Sequence, residues 1–190
     1  MRRKKILIPI EVIPHHVHLS QRMWQTLFGK NISPKILRPL SQRGQAVYQQ
    51  TVKVVGPKGE MTEVRVLGGA RKQTQVELSE AEAIAIGIKP VWRVSGKLSR
   101  TVGCKLIGPA GKAVIKSGVI VPVPHLHLNT KEAESLDLRQ GQEIELSFFE
   151  DKAAKLKVLV RVHPSFRAAL HITPDVAAKL WLSISDKAIL

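Results

Sequence analysis

The stretch Pro124-His125-Leu126-His127-Leu128-Asn129-Thr130 decides how this chain is read. In an extended strand alternate side chains share a face, so His125 and His127 stand together while Leu126 and Leu128 point the other way. Asn129 is a favoured helix N-cap, and Glu132 completes a capping box with it. The stretch therefore reads as a strand that carries two imidazoles to its end and then turns into a short helix. The same phrase occurs earlier as His16-Val17-His18-Leu19-Ser20.

Working outward, the phrase belongs to a weak internal repeat. Four segments share one order: apolar, variable, apolar, capping residue, short helix. They are Val17-His18-Leu19-Ser20, Val76-Glu77-Leu78-Ser79, Leu126-His127-Leu128-Asn129 and Leu170-His171-Ile172-Thr173. Helices are expected over 21–28, 80–86, 130–136 and 174–181, with Ser79 and Glu82 forming a second capping box and Pro174 at the first helical position. Between the segments, β-rich runs flank turn signals. Residues 51–55 and 63–67 flank Gly56-Pro57-Lys58-Gly59. Residues 104–107 and 113–115 flank Gly108-Pro109-Ala110-Gly111. Residues 143–149 and 154–162 flank Glu150-Asp151-Lys152. Further strands are expected over 6–12 and 118–123. The whole reads as a duplicated, mainly β fold with small helical caps, closer to barrels than to a doubly wound sheet.

The informative column is the variable position, which holds His18, Glu77, His127 and His171. With His16 and His125, six ligand-type residues fall into two sets of three: His16, His18 and Glu77 from the first half, His125, His127 and His171 from the second. Three N/O ligands and an open position are what a catalytic zinc site needs. Two such sites would meet if the halves packed face to face. A single strand-end histidine is ordinarily a surface or satisfied core group. Four equivalent positions sharing that chemistry are not explained so simply. His15 and His163 fall outside the pattern and are read as non-ligands.

Bulk properties narrow the field. The chain of 190 residues is long enough for one domain or two small ones, and 44% hydrophobic residues argue against disorder. Apolar runs fall far short of a membrane span, and the basic start is followed by too short an apolar run, broken by Pro9, for a signal peptide. The single Cys104 allows no internal disulfide and fits a buried structural thiol in a cytoplasmic protein. The net charge of +15 comes from two acid-free stretches, 12–59 and 83–131. That favours an anionic partner such as a nucleotide-bearing cofactor, phosphate or nucleic acid. Aromatics at 4% argue against a base-stacking platform. No P-loop, Rossmann fingerprint, nucleophile elbow or zinc-finger spacing is present.

The order of these motifs resembles the PduL-type phosphate propanoyltransferases. The resemblance is carried by His16-Val-His-Leu-Ser20, Leu40-Ser-Gln-Arg-Gly-Gln45, Val54-Val-Gly-Pro-Lys-Gly59, Val64-Arg-Val-Leu-Gly68, Arg71-Lys-Gln-Thr-Gln-Val-Glu-Leu-Ser79, Ser95-Gly96, Gly118-Val-Ile-Val121, His125-Leu-His127 and Leu170-His-Ile172. It runs from about residue 8 to about residue 177. It implies two β-barrels capped by short helices. One would combine residues 1–14 with 123–190 and the other would use 15–122, with the active site in the cleft between them. It implies two divalent metal ions, normally zinc, on His16, His18 and Glu77 and on His125, His127 and His171. Arg71 would be catalytic and bind phosphate, with Gln75, Ser95 and Arg161 nearby. The implied reaction is reversible transfer of a short acyl group between coenzyme A and phosphate, in a homodimer.

This chain also departs from that pattern. The family usually has arginine before each His-x-His pair, where His15 and Pro124 stand here, and a glutamate where Gln49 stands. The family's microcompartment-targeting extension is not apparent, so a free cytoplasmic enzyme is expected. The arginine losses and the charge leave an alternative, a catalytically altered member that binds nucleic acid or a ribonucleoprotein. A metal-dependent hydrolase ranks last, because no residue stands out as a general base.

Overall fold

The computed structural model describes residues 6–148 and 154–190. Fourteen strands and four helices follow in order: β1 (Leu7–Val12), β2 (His16–His18), α1 (Gln21–Phe28), β3 (Ile36–Pro39), β4 (Ala46–Val55), β5 (Glu60–Leu67), β6 (Gln75–Glu77), α2 (Glu80–Ala85), β7 (Trp92–Arg93), β8 (Val102–Gly108), β9 (Gly111–Pro122), β10 (His125–Leu128), α3 (Thr130–Ser135), β11 (Glu143–Phe148), β12 (Lys155–Val162), β13 (Ala169–Ile172), α4 (Pro174–Lys179) and β14 (Lys187–Ile189). They form two compact units, one of Met1–Ile13 with Val123–Leu190 and the other of Pro14–Pro122. The fold is mainly β, as the strand patterning implies.

In the first unit the strands close in the order β1-β13-β10-β12-β11-β14. In the second, β4-β5-β2-β6-β9 is completed by β8, which pairs with both β9 and β4 and so closes a ring of six, while β3 and β7 flank it. The rings are equivalent strand for strand. Each His-x-His strand runs parallel to one neighbour and antiparallel to the other: β2 beside β5 and β6, β10 beside β12 and β13. Beyond that, β6 runs parallel to β9 and β13 parallel to β1. The strand preceding each His-x-His strand thus completes the other half's ring.

The alternation read from the sequence is what fills the cores. Val17, Leu19, Val76 and Leu78 point into one, with Val54, Val64 and Leu106. Leu126, Leu128, Leu170 and Ile172 point into the other, with Ile8, Ile10 and Phe148. Burying one such side chain is worth about 1.5–3 kcal/mol. The intervening histidines and Glu77 are therefore held on the outer barrel faces.

Three of the four capping residues act as expected. The Ser20, Ser79 and Asn129 side chains accept from the N–H groups of Met23, Glu82 and Glu132, and the last two belong to complete capping boxes. Thr173 makes no such bond; its hydroxyl donates to Asp175 Oδ1 at 2.5 Å. Both Gly-Pro turns close hairpins, with the Gly56 N–H donating to the Gly59 carbonyl and Gly108 paired with Gly111. The third expected turn, Glu150-Asp151-Lys152, lies outside the described residues.

Two strand expectations need correction. The runs at 113–115 and 118–123 belong to one strand, β9. Gly118, where the second run was expected to start, lies within the strand at φ +123°, and a Cβ there would sit 2.7 Å from the Thr74 carbonyl oxygen. Glycine there marks close backbone approach, not a turn. The run at 51–55 begins earlier, at Ala46, because a register irregularity between Val47 and Thr51 destroys strict alternation. The short β14, with no sequence signal of its own, closes a barrel.

Candidate metal centres

His16, His18 and Glu77 come together within the second unit, and His125, His127 and His171 within the first. In each cluster every residue offers a ligand atom, and these atoms lie within 4.8 Å of one another. Strand register explains why. His16 faces Glu77 across β2 and β6, and His125 faces His171 across β10 and β13. His18 and His127 sit two residues along on the same faces.

Backbone carbonyls orient the rings. His16 Nδ1–H donates to the Pro14 carbonyl at 2.9 Å, and His125 Nδ1–H donates to the Val123 carbonyl at 2.8 Å. His18 Nδ1–H donates to the Leu67 carbonyl at 2.9 Å. Gly68 makes that approach possible: at φ +73° it turns the chain, and a Cβ would lie 3.3 Å from His18 Nδ1. Each bond fixes the Nδ1–H tautomer and leaves the Nε2 lone pair available to an electrophile. In the second unit both free nitrogens face the carboxylate, with His16 Nε2 at 3.5 Å and His18 Nε2 at 3.8 Å from Glu77 oxygens.

One histidine in each cluster, His18 and His127, favours the neutral imidazole. Burial pushes His18 down to about 3, helped by His16 and Arg71 and opposed by Glu77 and the Leu67 carbonyl. Burial also drives His127 far below the usual histidine range, reinforced by His171, His125 and Arg161. His127 is 5% exposed, yet neither ring nitrogen has a hydrogen-bond partner, and His171 Nε2 is buried with a Glu11 oxygen 2.8 Å away but no aligned hydrogen bond. Orphaned buried nitrogens cost free energy. A divalent ion would satisfy them, and the six side chains are of the types zinc takes.

Around the second unit's cluster, Gln75 is the organiser. Its amide N–H groups donate to Glu77 Oε1 and to Ser95 Oγ, the latter at 2.9 Å, and its Oε1 accepts the Gly96 N–H at 2.7 Å. Arg71 is anchored by its N–H, which donates to the Leu19 carbonyl at 2.9 Å just beyond β2. Its side chain is exposed and close enough to help depress His18. Arg71, Gln75 and Ser95 are thus grouped with the first ligand set. Arg161 belongs to the other unit, as the strand partner of His127 on β12.

The two histidines set aside have other partners. His15 Nδ1–H donates to Glu82 Oε1 at 2.7 Å, while Glu82 Oε2 accepts the Ser79 N–H. That bond raises the His15 pKa against burial. Glu82 is held below the ordinary carboxylate value, with burial outweighed by the His15 and Ser79 bonds. His163 Nδ1 accepts from Ser165. Cys104 is buried and unpaired, and burial pushes its thiol up to about 12. That leaves it a packing residue with no thiolate to offer at neutral pH.

Two residues near the three-histidine cluster escaped the motif reading. Phe166 stacks on His127 with ring centroids 3.9 Å apart, and the Arg161 guanidinium carbon lies 5.8 Å from the Phe166 centroid. Glu11 Oε2 lies 2.8 Å from His171 Nε2. Glu11 is far from His171 in sequence, and only the pairing of β1 with β13 brings them together. Phe166 carried no signal beyond being one of few aromatics.

A protein of two capped six-stranded barrels, each displaying a three-residue ligand set, is the class that the fold and the clusters define. The family model described as phosphate propanoyltransferase matches residues 9–182. A phosphate propanoyltransferase of Thermotoga maritima is 38% identical over 97% of this chain and 89% of its own length. Those of Rhodopseudomonas palustris and Salmonella typhimurium are 37% and 38% identical over 94% and 90% of this chain, and over 80% and 81% of theirs. The chain belongs to the phosphate propanoyltransferase family, and so to the acyltransferases.

Proposed function

We propose that the chain is a metal-dependent phosphotransacylase that moves a short acyl group, propanoyl or acetyl, between coenzyme A and inorganic phosphate. The observation that carries this reading is the pair of ligand clusters, with His127 buried and both its nitrogens unpartnered. His16, His18 and Glu77 would hold one divalent ion and His125, His127 and His171 the other, with zinc the metal that best fits this donor set. Such ions, when bound, supply polarisation of the thioester carbonyl and a positive field for the developing oxyanion.

The chain's own residues supply the rest. Arg71 offers a planar fork that matches two phosphate oxygens. Gln75 holds the Glu77 carboxylate in orientation and ties it to the Ser95–Gly96 turn, where Ser95 can meet phosphate. Phe166 covers one face of His127 and keeps water off it. Arg161 adds positive charge beside His127 for an anionic group. A phosphate oxygen attacks the carbonyl carbon, the carbon–sulfur bond breaks, and the coenzyme leaves as a thiolate that takes up a proton. The reverse runs from acyl phosphate. The acid-free stretches give the phosphate-rich coenzyme a basic surface to approach. The free, unpaired Cys104 suits the reducing cytoplasm, and a homodimer is the family's expected state.

The test is a thiol-release assay with propanoyl-CoA and zinc-loaded protein. Free CoA and acyl phosphate should appear together, only when phosphate is present, and His127→Ala should abolish both. Release that ignores phosphate would make the chain a thioesterase. No turnover under saturating zinc or cobalt would end the proposal.

A further inference from the structure

The two ligand clusters sit on equivalent strands but differ in charge. In the second unit one carboxylate, Glu77, faces His16, and its partner on the next strand, β9, is Ile120. In the first unit the position equivalent to Glu77 is His171, so the cluster as drawn from the motifs is three imidazoles and no carboxylate. The partner of His171 on the next strand, β1, is Glu11, at the position equivalent to Ile120. Glu11 and His171 are aligned neighbours on parallel strands, and such neighbours point to the same face. Ile8 and Ile10 turn into the core, and Glu11 emerges on the outer face with the histidines.

The contact itself is unlike an ordinary ion pair. Glu11 Oε2 and His171 Nε2 are 2.8 Å apart, yet Nε2 is buried without an aligned hydrogen bond. At that separation a ring nitrogen lone pair and a carboxylate oxygen are close enough to serve as two donors to one cation. The His125 Nδ1–H is held by the Val123 carbonyl, and both nitrogens of His127 are unpartnered. A divalent ion on three neutral imidazoles would leave its full double charge half-buried beside Arg161, which is costly. A carboxylate at Glu11 offsets half of it, as Glu77 does in the other cluster.

We propose that Glu11 is a fourth ligand of the three-histidine site, donating a carboxylate oxygen to the ion held by His125, His127 and His171. Each unit then carries one carboxylate, displaced by one strand between the two. The proposal rests on the metal-dependent reading above and adds to it a residue outside the His-x-His motifs.

The experiment isolates each site in the full-length chain. His16→Ala leaves only the first unit's site, and His127→Ala only the second's. Each is titrated with cobalt(II) against a chelator, with and without Glu11→Gln, while the visible cobalt bands are recorded. On the His16→Ala background Glu11→Gln should weaken cobalt by about 10–100-fold and alter the bands, because an anionic donor is lost from the ion itself. On the His127→Ala background it should change neither. X-ray absorption of zinc-loaded His16→Ala protein with Glu11 intact supplies a count free of any folding defect: four N/O protein donors, one of them carboxylate. Unchanged affinity and bands, or a three-nitrogen shell without carboxylate, overturns the role of Glu11 and leaves the metal-dependent reading standing. Failure of unsubstituted protein to take up cobalt at either site overturns both.

Discussion

The two barrels share a strand plan and differ in how each ligand cluster is braced. In the second unit the carboxylate sits inside the cluster, and Gln75 ties it to the Ser95–Gly96 turn. In the first unit the corresponding residue is His171, the carboxylate is one strand away on β1, and an aromatic ring covers His127. Equivalent strand positions therefore present ligand-type side chains in both barrels, with different chemistry around them. Barrel topology fixes where a ligand can be, and neighbouring loops and strands decide its charge and its exposure.

The largest expected effect comes from removing one ligand in either unit. His18→Ala and His127→Ala should each lower turnover roughly 10²–10³-fold, as loss of one electrostatic element of a transition-state site does. Equal losses measured by thiol release would make the clusters partners in one reaction. Near-normal turnover in either variant would break the equivalence and assign chemistry to a single unit.

Next is the Gln75 brace on the second unit's carboxylate. Gln75→Leu keeps the approximate volume and removes every bond to Glu77, Ser95 and Gly96. It should cost about 10–100-fold in metal affinity at that site and leave the three-histidine site unchanged. Isothermal titration with zinc reads both sites at once, and a loss spread over both would contradict an effect confined to one unit.

These residues also show how far the sequence could be read. The six ligand-type positions, three of the four caps and both Gly-Pro hairpins follow from periodicity and turn chemistry, because strand alternation and capping are local. The organisation of Gln75 with Ser95 depends on a contact across 20 residues, and Glu11 meets His171 only because β1 completes the barrel built by the other half of the chain. Such pairings leave no periodic trace.

A smaller effect separates the helix caps. Ser79→Ala and Asn129→Ala each delete a side-chain bond to a helix N–H and should cost about 1 kcal/mol in chemical denaturation. Thr173→Ala deletes no such bond and should cost less than either. A larger loss at Thr173 would mean that its hydroxyl bond to Asp175 organises α4 as effectively as a direct cap.

The smallest effect is at Cys104, on β8 of the second barrel, whose counterpart β14 presents Ala188. With the folded thiol raised from its ordinary value of 9 to about 12, the folded state holds its proton more tightly than the unfolded state. The resulting stabilisation is complete below about pH 9 and is lost as pH rises from there towards 12. Stability should therefore fall more steeply with pH in that window for the native chain than for Cys104→Ala. At pH 8 iodoacetamide should label the thiol only after unfolding. Rapid labelling of native protein would show an accessible, reactive cysteine.

The central claim is that turnover depends on both metal centres together. The direct measurement strips the protein with chelator, returns cobalt(II) in substoichiometric steps, and follows phosphate-dependent CoA release at each step. The account predicts no turnover in the stripped protein and full turnover only as uptake reaches two ions per chain, one on each ligand set. Undiminished turnover in stripped protein with chelator in excess would contradict it.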